Sequence, residues 1–329
     1  MQRLPRPRAA QPAGRPAAGK VWAILLAGGD GTRFRPLAER AGHPEIPKQF
    51  WSLDGKTSLL RLALRRAARL APYGQTLAVL AAQHARWWQR DLADLPAGNL
   101  IVQPGNRGTA AGILLPLLVV LDRDPEAVVV LLPSDHFVEG EEALGRALRS
   151  ATAAVQRGLG RIVLLGVRQE EADSGYGWIL SARGAQPPLA EVERFVEKPD
   201  AETARGLHRQ GNLVNTFIVV GAAQEFLALF RTHLPALLDS FCGVPLAAAQ
   251  APTLASLTAL YASTSPIDFS RQVLEPGAAR CSVLRVPDCG WTDLGTPERF
   301  AQCLARRTRV SCRVRLSCPA ARPHLRRSL

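Results

Sequence analysis

The first residues of this chain that could do chemistry lie in a glycine-rich loop at 28–31, Gly-Gly-Asp-Gly. The loop follows an apolar run, Val21 to Leu26, that has the length and residue types of a buried strand. Glycines let a backbone turn sharply and present its N–H groups to an anion without obstruction by side chains. Arg33 adds a planar cation that suits phosphate oxygens. The combination predicts a seat for a nucleoside triphosphate.

Two commoner glycine motifs do not match this loop. A dinucleotide-binding fingerprint requires a third glycine, and the chain has Phe34 at that position. The segment Gly55-Lys56-Thr57 resembles the end of a phosphate loop, but the residue five before Gly55 is Phe50 rather than glycine. A glycine-rich turn after a strand is also compatible with a simple tight connection, so the loop needs support from other residues.

Asp135 is a second candidate, because it follows the continuously apolar strand predicted at 127–132. Apolar strands that alternate with helices indicate a parallel sheet covered on both faces, and ligands bind such sheets at the carboxyl ends of the strands. The glycine loop and Asp135 both lie at carboxyl ends, so we expect them to line one crevice, although a lone aspartate there also suits a helix cap. We predict a Rossmann-like α/β fold with an open, mixed, mostly parallel sheet and helices on both faces.

The remaining elements follow from periodicity and from turn residues. Further strands are predicted at 77–81, 100–102, 161–166, 192–196, 212–220 and 281–286, and from the glycine-aromatic turn at 174–178. Helices are predicted at 58–70, 83–94, 110–121 and 142–157, through 222–263, from 265, and up to about residue 305. Asn215 lies in an apolar run, where a polar side chain needs a partner or a ligand.

The charge of the chain is concentrated at its two ends. Residues 1–20 carry five basic residues and no acids, residues 306–329 carry eight arginines and no acids, and these account for the whole net charge of +13. The body is formally neutral, which disfavours nucleic acid as a partner. We therefore expect one catalytic domain at 21–305 between two basic, disordered segments at 1–20 and 306–329. Alternation at 310–318 also fits a strand.

The six cysteines, at 242, 281, 289, 303, 312 and 318, form no Cys-x-x-Cys pair. This pattern argues against a metal site or a disulfide framework and favours reduced thiols and a cytoplasmic location. No apolar run has the length of a membrane span, so no membrane contact is expected.

Eight motifs, in order, make the chain resemble the sugar-phosphate nucleotidyltransferases, and among them the mannose-1-phosphate guanylyltransferase branch. They are Leu-Ala-Gly-Gly-Asp-Gly-Thr-Arg at 26–33, Pro-Lys-Gln-Phe at 47–50, Gln-Pro-Gly-Asn-Arg-Gly-Thr-Ala at 103–110, Leu-Pro-Ser-Asp-His at 132–136, Ser-Gly-Tyr-Gly-Trp-Ile at 174–179, Arg-Phe-Val-Glu-Lys-Pro-Asp at 194–200, Pro-Ile-Asp-Phe at 266–269 and Gly-Trp-Thr-Asp-Leu-Gly at 290–295. The resemblance covers about residues 21–305 and implies the nucleotidyltransferase fold.

The resemblance implies a reaction in which a sugar 1-phosphate attacks the α-phosphorus of GTP, or of another nucleoside triphosphate, and pyrophosphate leaves. Two anions must come together, which calls for a metal ion and cations rather than a strong base. By resemblance, Asp135 and Asp293 hold Mg²⁺, and the catalytic residues are Arg33, Lys48, Asp135 and Asp293. An ordinary surface lysine is the alternative for Lys48.

Two further sets of residues follow from the resemblance. The nucleotide would be held by Leu26, Ala27, Gly28, Gly29, Gly31, Thr32, Arg33, Gln103, Asn106, Gly108 and Thr109. The sugar phosphate would be held by Gly177, Glu197, Lys198 and Asn215, with an ordinary surface role as the alternative for Lys198. The oligomeric state is left open, and a homodimer is one arrangement that the sequence allows.

One motif departs from the family. The usual Trp-Asn-Ser-Gly-Met-Phe appears as Val-Asn-Thr-Phe-Ile-Val at 214–219, so the identity of the sugar is open. The chain also ends soon after residue 305, which predicts a single activity without the isomerase-type or β-helical extension of longer relatives. The altered motif motivates an alternative, a non-catalytic regulatory protein of the same fold that binds nucleotide sugars. A related metal-dependent glycosyltransferase fits less well, because the strand at 128–132 is not followed by an Asp-x-Asp pair.

Overall fold

The fold is built around strand β1, Val21–Ala27, the run predicted as a buried strand. In the computed structural model, which describes residues 20–31, 39, 46–181, 189–243 and 253–306, this strand has a parallel neighbour on each side. Leu25 pairs with Ala78 on one neighbour and with Leu132 on the other. Because both edges of β1 are paired and its side chains alternate between two buried faces, every position favours an apolar residue.

The described residues form a nine-stranded mixed sheet in the order β3-β2-β1-β4-β8-β5-β9-β7-β6, with a further β6–β8 pairing. Its other strands are β2 Thr76–Ala81, β3 Leu100–Gln103, β4 Val128–Pro133, β5 Ile162–Val167, β6 Gly177–Ser181, β7 Ala190–Glu197, β8 Leu213–Ala222 and β9 Cys281–Arg285. Strands β1 to β4 pair in parallel, and so do β5 and β9. The pairings that involve β6, β7 and β8 are antiparallel.

Helices cover both faces of the sheet, as predicted. They are α1 Leu59–Ala67, α2 Ala85–Asp91, α3 Gly108–Arg123, α4 Glu141–Gln156, α5 Ala201–Arg209, α6 Ala223–His233, α7 Pro235–Cys242, α8 Leu254–Ser263 and α9 at 297–306. Helices α3, α6, α7 and α8 share one core cluster with Trp22 and Ile24 of β1. Helices α1, α2, α4 and α5 share the other with Ala23 and Leu25. Among these described elements, no helix is long and apolar enough to cross a membrane.

The observed helices differ from the predicted ones in two places. Helix α5 was not predicted, because only Ala204 and Leu207 of its residues are buried and the apolar pattern is short. The helix predicted from residue 265 is a π-helical turn at Ser270–Leu274. The preceding segment instead bonds to the 103–109 loop: the Ile267 N–H donates to the carbonyl of Arg107, and the Ile267 carbonyl accepts from Ala110.

Several predictions concern residues outside the described part of the chain. These are the disorder predicted for 1–20 and 306–329, of which only residues 20 and 306 are described, the strand alternative at 310–318, and the contacts of Thr32 and Arg33. The helical stretch predicted at 222–263 contains α6, α7 and α8, and its residues 244–252 are likewise not described.

Candidate active site

A crevice of about 630 Å³ opens where β1, β3 and β4 end. Every predicted site residue that the structure describes lines it: Leu26, Ala27, Gly28, Gly29, Gly31, Lys48, Gln103, Asn106, Gly108, Thr109, Asp135, Gly177, Glu197, Lys198, Asn215 and Asp293. Carboxyl ends of parallel strands are where open α/β sheets bind ligands, and the volume suits a small-molecule site. The predicted set is therefore brought together, apart from Thr32 and Arg33, which lie outside the described residues.

The glycine loop is supported by a residue that was assigned no role from the sequence. Gln49 is 3% exposed, and its side-chain amide donates to the carbonyls of Ala27 and Gly29, both at 3.0 Å. A Cβ atom at position 28 would lie 2.6 Å from Gln103 Nε2, so a larger residue there would require the Gln103 side chain to move. The signal for Gln49 was present in the Pro-Lys-Gln-Phe motif, directly beside the lysine that was assigned a role.

The second loop, at 103–109, packs against the 266–269 segment through a glycine. Gly108 has a φ of +80°, and a Cβ atom there would lie 2.2 Å from the carbonyl oxygen of Ile267. Thr109 Oγ1 accepts a hydrogen bond from the Phe269 N–H at 2.8 Å. Gln103 Oε1 accepts from the buried Tyr261 hydroxyl at 3.0 Å. Gln103 and Thr109 therefore fix the wall of the crevice through their own contacts.

Lys48 lines the crevice and bonds to both candidate metal-binding residues. Its Nζ donates to Asp135 Oδ2 at 2.8 Å and to the backbone carbonyl of Asp293. The lysine side chain is 8% exposed and the Asp135 side chain 36%. Desolvation favours the neutral form of Asp135, but Lys48 and His136 outweigh it and hold the pKa of this carboxyl below its ordinary value. The site therefore presents a carboxylate and an ammonium in direct contact.

Asp135 and Asp293 are 158 residues apart in the sequence and are joined by a short backbone pairing. Phe137 and Thr292 form an isolated antiparallel bridge, with reciprocal N–H to carbonyl bonds of 2.9 and 3.0 Å. This bridge brings the loop after β4 against the loop after β9 and so places the two aspartates in one site. Desolvation opposes ionisation of Asp293, but His136, Arg299 and Lys48 hold its pKa below the ordinary value.

The residues predicted to hold the sugar phosphate line another wall of the crevice. Glu197 Oε1 lies 2.8 Å from Lys198 Nζ, and a Cβ atom at Gly177 would lie 2.6 Å from Glu197 Oε2. Burial raises the pKa of Glu197 even though Lys198 opposes the shift. Asn215 Oδ1 accepts a hydrogen bond from the Phe217 N–H at 3.1 Å, so the amide nitrogen of Asn215 remains for another partner.

Two non-glycine residues of this wall have left-handed backbones. Lys198 has a φ of +47° and Phe217 a φ of +57°. Such conformations cost about 1–3 kcal/mol each and persist where the surrounding structure enforces them, often at functional sites. Phe217 belongs to the altered motif at 214–219, and its half-buried side chain lines the crevice.

The donor set fits Mg²⁺. No group of three or more His, Cys, Asp or Glu side chains suited to a metal ion occurs among the described residues. Mg²⁺ in phosphate-transfer sites is usually held by one or two carboxylates together with substrate phosphates and water. Asp135 and Asp293 supply two carboxylates whose pKa values are held low, which is the set that such a site requires.

Mixed α/β topology and a crevice at the carboxyl ends of the strands define an α/β protein with a candidate small-molecule site at that edge of the sheet. A family model described as nucleotidyl transferase matches residues 22–308, so the chain belongs to the nucleotidyl transferase family. The resemblance inferred from the motifs is confirmed.

Named relatives agree with this assignment. The alginate biosynthesis protein AlgA of Pseudomonas fluorescens is 29% identical over 281 residues, which cover 83% of this chain and 56% of the relative. A mannose-1-phosphate guanylyltransferase of Sinorhizobium fredii is 28% identical over 287 residues, 84% of this chain and 54% of the relative. The chain thus spans just over half the length of these curated relatives.

Solved structures share the fold. The crystal structure of mannose-1-phosphate geranyltransferase from Thermus thermophilus has a TM-score of 0.73 and 29% identity, covering 87% of this chain and 79% of that chain. A UDP-glucose pyrophosphorylase complexed with UDP-glucose has a TM-score of 0.56 and 14% identity, covering 88% of this chain and 99% of that chain, and supports the fold alone.

Proposed function

We propose that this chain transfers a nucleotidyl group from a nucleoside triphosphate to a sugar 1-phosphate. The observation that carries the proposal is the Lys48 ammonium, bonded to Asp135 and to the Asp293 carbonyl, in a crevice between the glycine loop and the Glu197–Lys198 pair. A phosphate oxygen of the sugar 1-phosphate forms a bond to the α-phosphorus, the bond to the bridging oxygen of the β-phosphate breaks, and pyrophosphate leaves.

The residues of the crevice divide this task between them. The glycine loop holds the triphosphate, and Lys48 exchanges part of its bonding from Asp135 to the reacting phosphates. Lys198 leaves Glu197 to meet the incoming sugar phosphate, and the Asn215 amide nitrogen donates to a sugar hydroxyl. Because the attacking oxygen is already ionised, no general base is required, and stabilisation of negative charge is the main catalytic need.

Asp135 and Asp293 are the residues that would hold Mg²⁺. The ion would supply a Lewis acid that neutralises the triphosphate.

GTP and mannose 1-phosphate are the substrates that we propose to test first. The support comes from relatives named mannose-1-phosphate guanylyltransferase and from the motifs shared with that branch. The Phe217 ring in the altered motif is a reason to test related hexose and heptose 1-phosphates alongside mannose 1-phosphate.

The experiment is a pyrophosphate-release assay on the full chain with GTP, ATP, UTP and CTP against a panel of sugar 1-phosphates, with and without Mg²⁺. Asp135→Asn keeps the shape of the side chain and removes its charge, and we expect turnover to fall at least ~10²-fold. The contrary result is a folded protein whose melting temperature rises with nucleotide but that shows no turnover with any substrate pair. That result would refute the enzyme hypothesis and favour the non-catalytic binding protein.

A further inference from the structure

Arg299, in helix α9, connects two carboxylates from distant parts of the chain. Its side chain is only 9% exposed, and arginine is seldom buried without charged partners. Nη1 donates to both oxygens of Asp293, at 2.8 and 2.9 Å, while Nε donates to Asp173 Oδ2 at 2.9 Å. The guanidinium also lies over the Tyr176 ring, 3.7 Å from its centroid. Contacts on three sides fix its orientation, and it can impose that orientation on Asp293.

The backbone around Arg299 is shaped to admit this arrangement. A Cβ atom at Gly175 would lie 2.6 Å from Arg299 Nη2. A Cβ atom at Gly295 would lie 2.5 Å from Asp293 Oδ2 and 2.9 Å from Arg299 Nη1. A larger residue at either position would have to displace the Arg299–Asp293 pair, so this pair is closely packed, unlike a loosely packed surface ion pair.

The hydrogen bonds to Asp293 are unequal between its two oxygens. Oδ1 accepts from the Arg299 guanidinium at 2.8 Å, from the Gly295 N–H at 2.9 Å and from the Tyr176 hydroxyl at 3.3 Å. Oδ2 accepts from Arg299 alone among the described residues. Since a carboxylate has about four acceptor positions, Oδ2 keeps the capacity for another ligand and Oδ1 is saturated.

Arg299 lies outside the crevice lining and contacts the site through Asp293. Asp293, Tyr176 and Gly295 line the crevice, whereas Arg299 is absent from the described residues that line it. We propose that Arg299 is a positioning residue: it holds the Asp293 carboxylate so that Oδ2 faces the crevice and binds the divalent cation of the nucleotide. This inference rests on the proposed function, which assigns the cation to Asp135 and Asp293. No motif pointed to Arg299, since it lies beyond the last of them.

The test measures metal binding directly. Mn²⁺ replaces Mg²⁺, its binding is followed by electron paramagnetic resonance, and the nucleotide is GTP with a methylene bridge between its α- and β-phosphates, which cannot react. Arg299→Met removes the charge, and Arg299→Lys keeps the charge but cannot span two carboxylates. The matched control is Arg306→Met on the same helix, because Arg306 is exposed and pairs with Glu170 at 2.9 Å.

Residues that orient metal ligands typically contribute about 10- to 100-fold to metal affinity. We expect Mn²⁺ affinity to fall by this amount in Arg299→Met, by less in Arg299→Lys, and to stay unchanged in Arg306→Met. Asp173→Asn weakens the hold on Arg299 without changing Asp293, and it should also lower Mn²⁺ affinity. This variant provides the test if Arg299→Met fails to fold.

Two outcomes overturn the inference. Mn²⁺ affinity that is unchanged in a folded Arg299 variant would mean that the arginine only stabilises the fold. Higher affinity would mean that Arg299 competes with the cation for Asp293. If wild-type protein releases pyrophosphate in either case, the proposed function survives. If wild-type protein neither binds Mn²⁺ with nucleotide nor releases pyrophosphate, both proposals fail.

Discussion

Replacement of Lys48 by methionine is the most informative single change in the crevice. Methionine fills much of the same space but cannot donate to Asp135 or to the Asp293 carbonyl. If the ammonium stabilises charge on the reacting phosphates, its loss should lower kcat at least ~10²-fold, the usual effect of removing one transition-state stabiliser. Lys56→Met is the matched control, because Lys56 is exposed in the turn at 54–57.

The effect of Lys48→Met on stability should be much smaller than its effect on rate. Loss of one partner from a fully buried ion pair costs about 3–5 kcal/mol. The Asp135 side chain is 36% exposed, so water can hydrate the carboxylate that is left behind. We therefore expect a cost of about 1–2 kcal/mol, which corresponds to a melting temperature lower by roughly 2–6 °C.

Pyrophosphate release and thermal melts, measured on the same preparations, separate the effect of Lys48→Met on rate from its effect on stability. A folded Lys48→Met variant with kcat/KM within about threefold of the Lys56→Met control would refute the proposed role. Recovery of wild-type kcat at high Mg²⁺ would also refute a direct role of Lys48 in stabilising the reacting phosphates, because Lys48 would then act only by positioning Asp135. A loss in kcat that Mg²⁺ does not restore is the expected result.

Three other changes test separate parts of the molecule. Gly108→Ala should destabilise the fold by about 2–5 kcal/mol in urea unfolding, because the φ of Gly108 is +80° and the new Cβ would lie 2.2 Å from the Ile267 carbonyl oxygen. Gly29→Ala is the control and should leave the stability nearly unchanged, because there is open space around Gly29. Burial lowers the pKa of His84, so below about pH 6.5 the unfolded chain binds more protons than the folded chain. As the pH falls from 7.5 to 5.5, the free energy of unfolding should therefore decrease by up to about 1.4 kcal/mol more in wild type than in His84→Gln. Equal decreases in the two proteins would contradict this prediction. Phe217→Gly removes a ring from the crevice wall and relieves a φ of +57°. It should change KM for the sugar 1-phosphate about 10-fold while KM for the nucleotide stays constant. A change in KM for the nucleotide alone would place Phe217 on the nucleotide side.

Much of the fold could be predicted because its signals are local. The run at 21–26 became β1, and the run at 127–132 became β4, since strands buried on both faces must be apolar throughout. The three glycines at 28–31 predicted a sharp turn of the backbone, and Gly31 has a φ of +63°. Helix α5 was missed because two buried residues make too weak a pattern.

Local signals also carried most of the candidate site. The described residues that were assigned from motifs all line one crevice, because motifs at the carboxyl ends of strands meet at one edge of the sheet. Their roles, including metal binding by Asp135 and Asp293, stay predictions until the assays above are done.

By itself, the sequence determined most of the strands and helices, the glycine-rich turn at 28–31, and which polar residues stand at strand ends. These properties depend on a few neighbouring residues. Only the tertiary structure decided that β6, β7 and β8 run antiparallel to the strands that they pair with. It also decided that the Phe137–Thr292 bridge brings two distant aspartates together, and that Arg299 lies between Asp173 and Tyr176 and bonds to one of those aspartates. The physical reason is that each of these contacts joins residues far apart in the chain, so its geometry depends on the packing of the whole sheet.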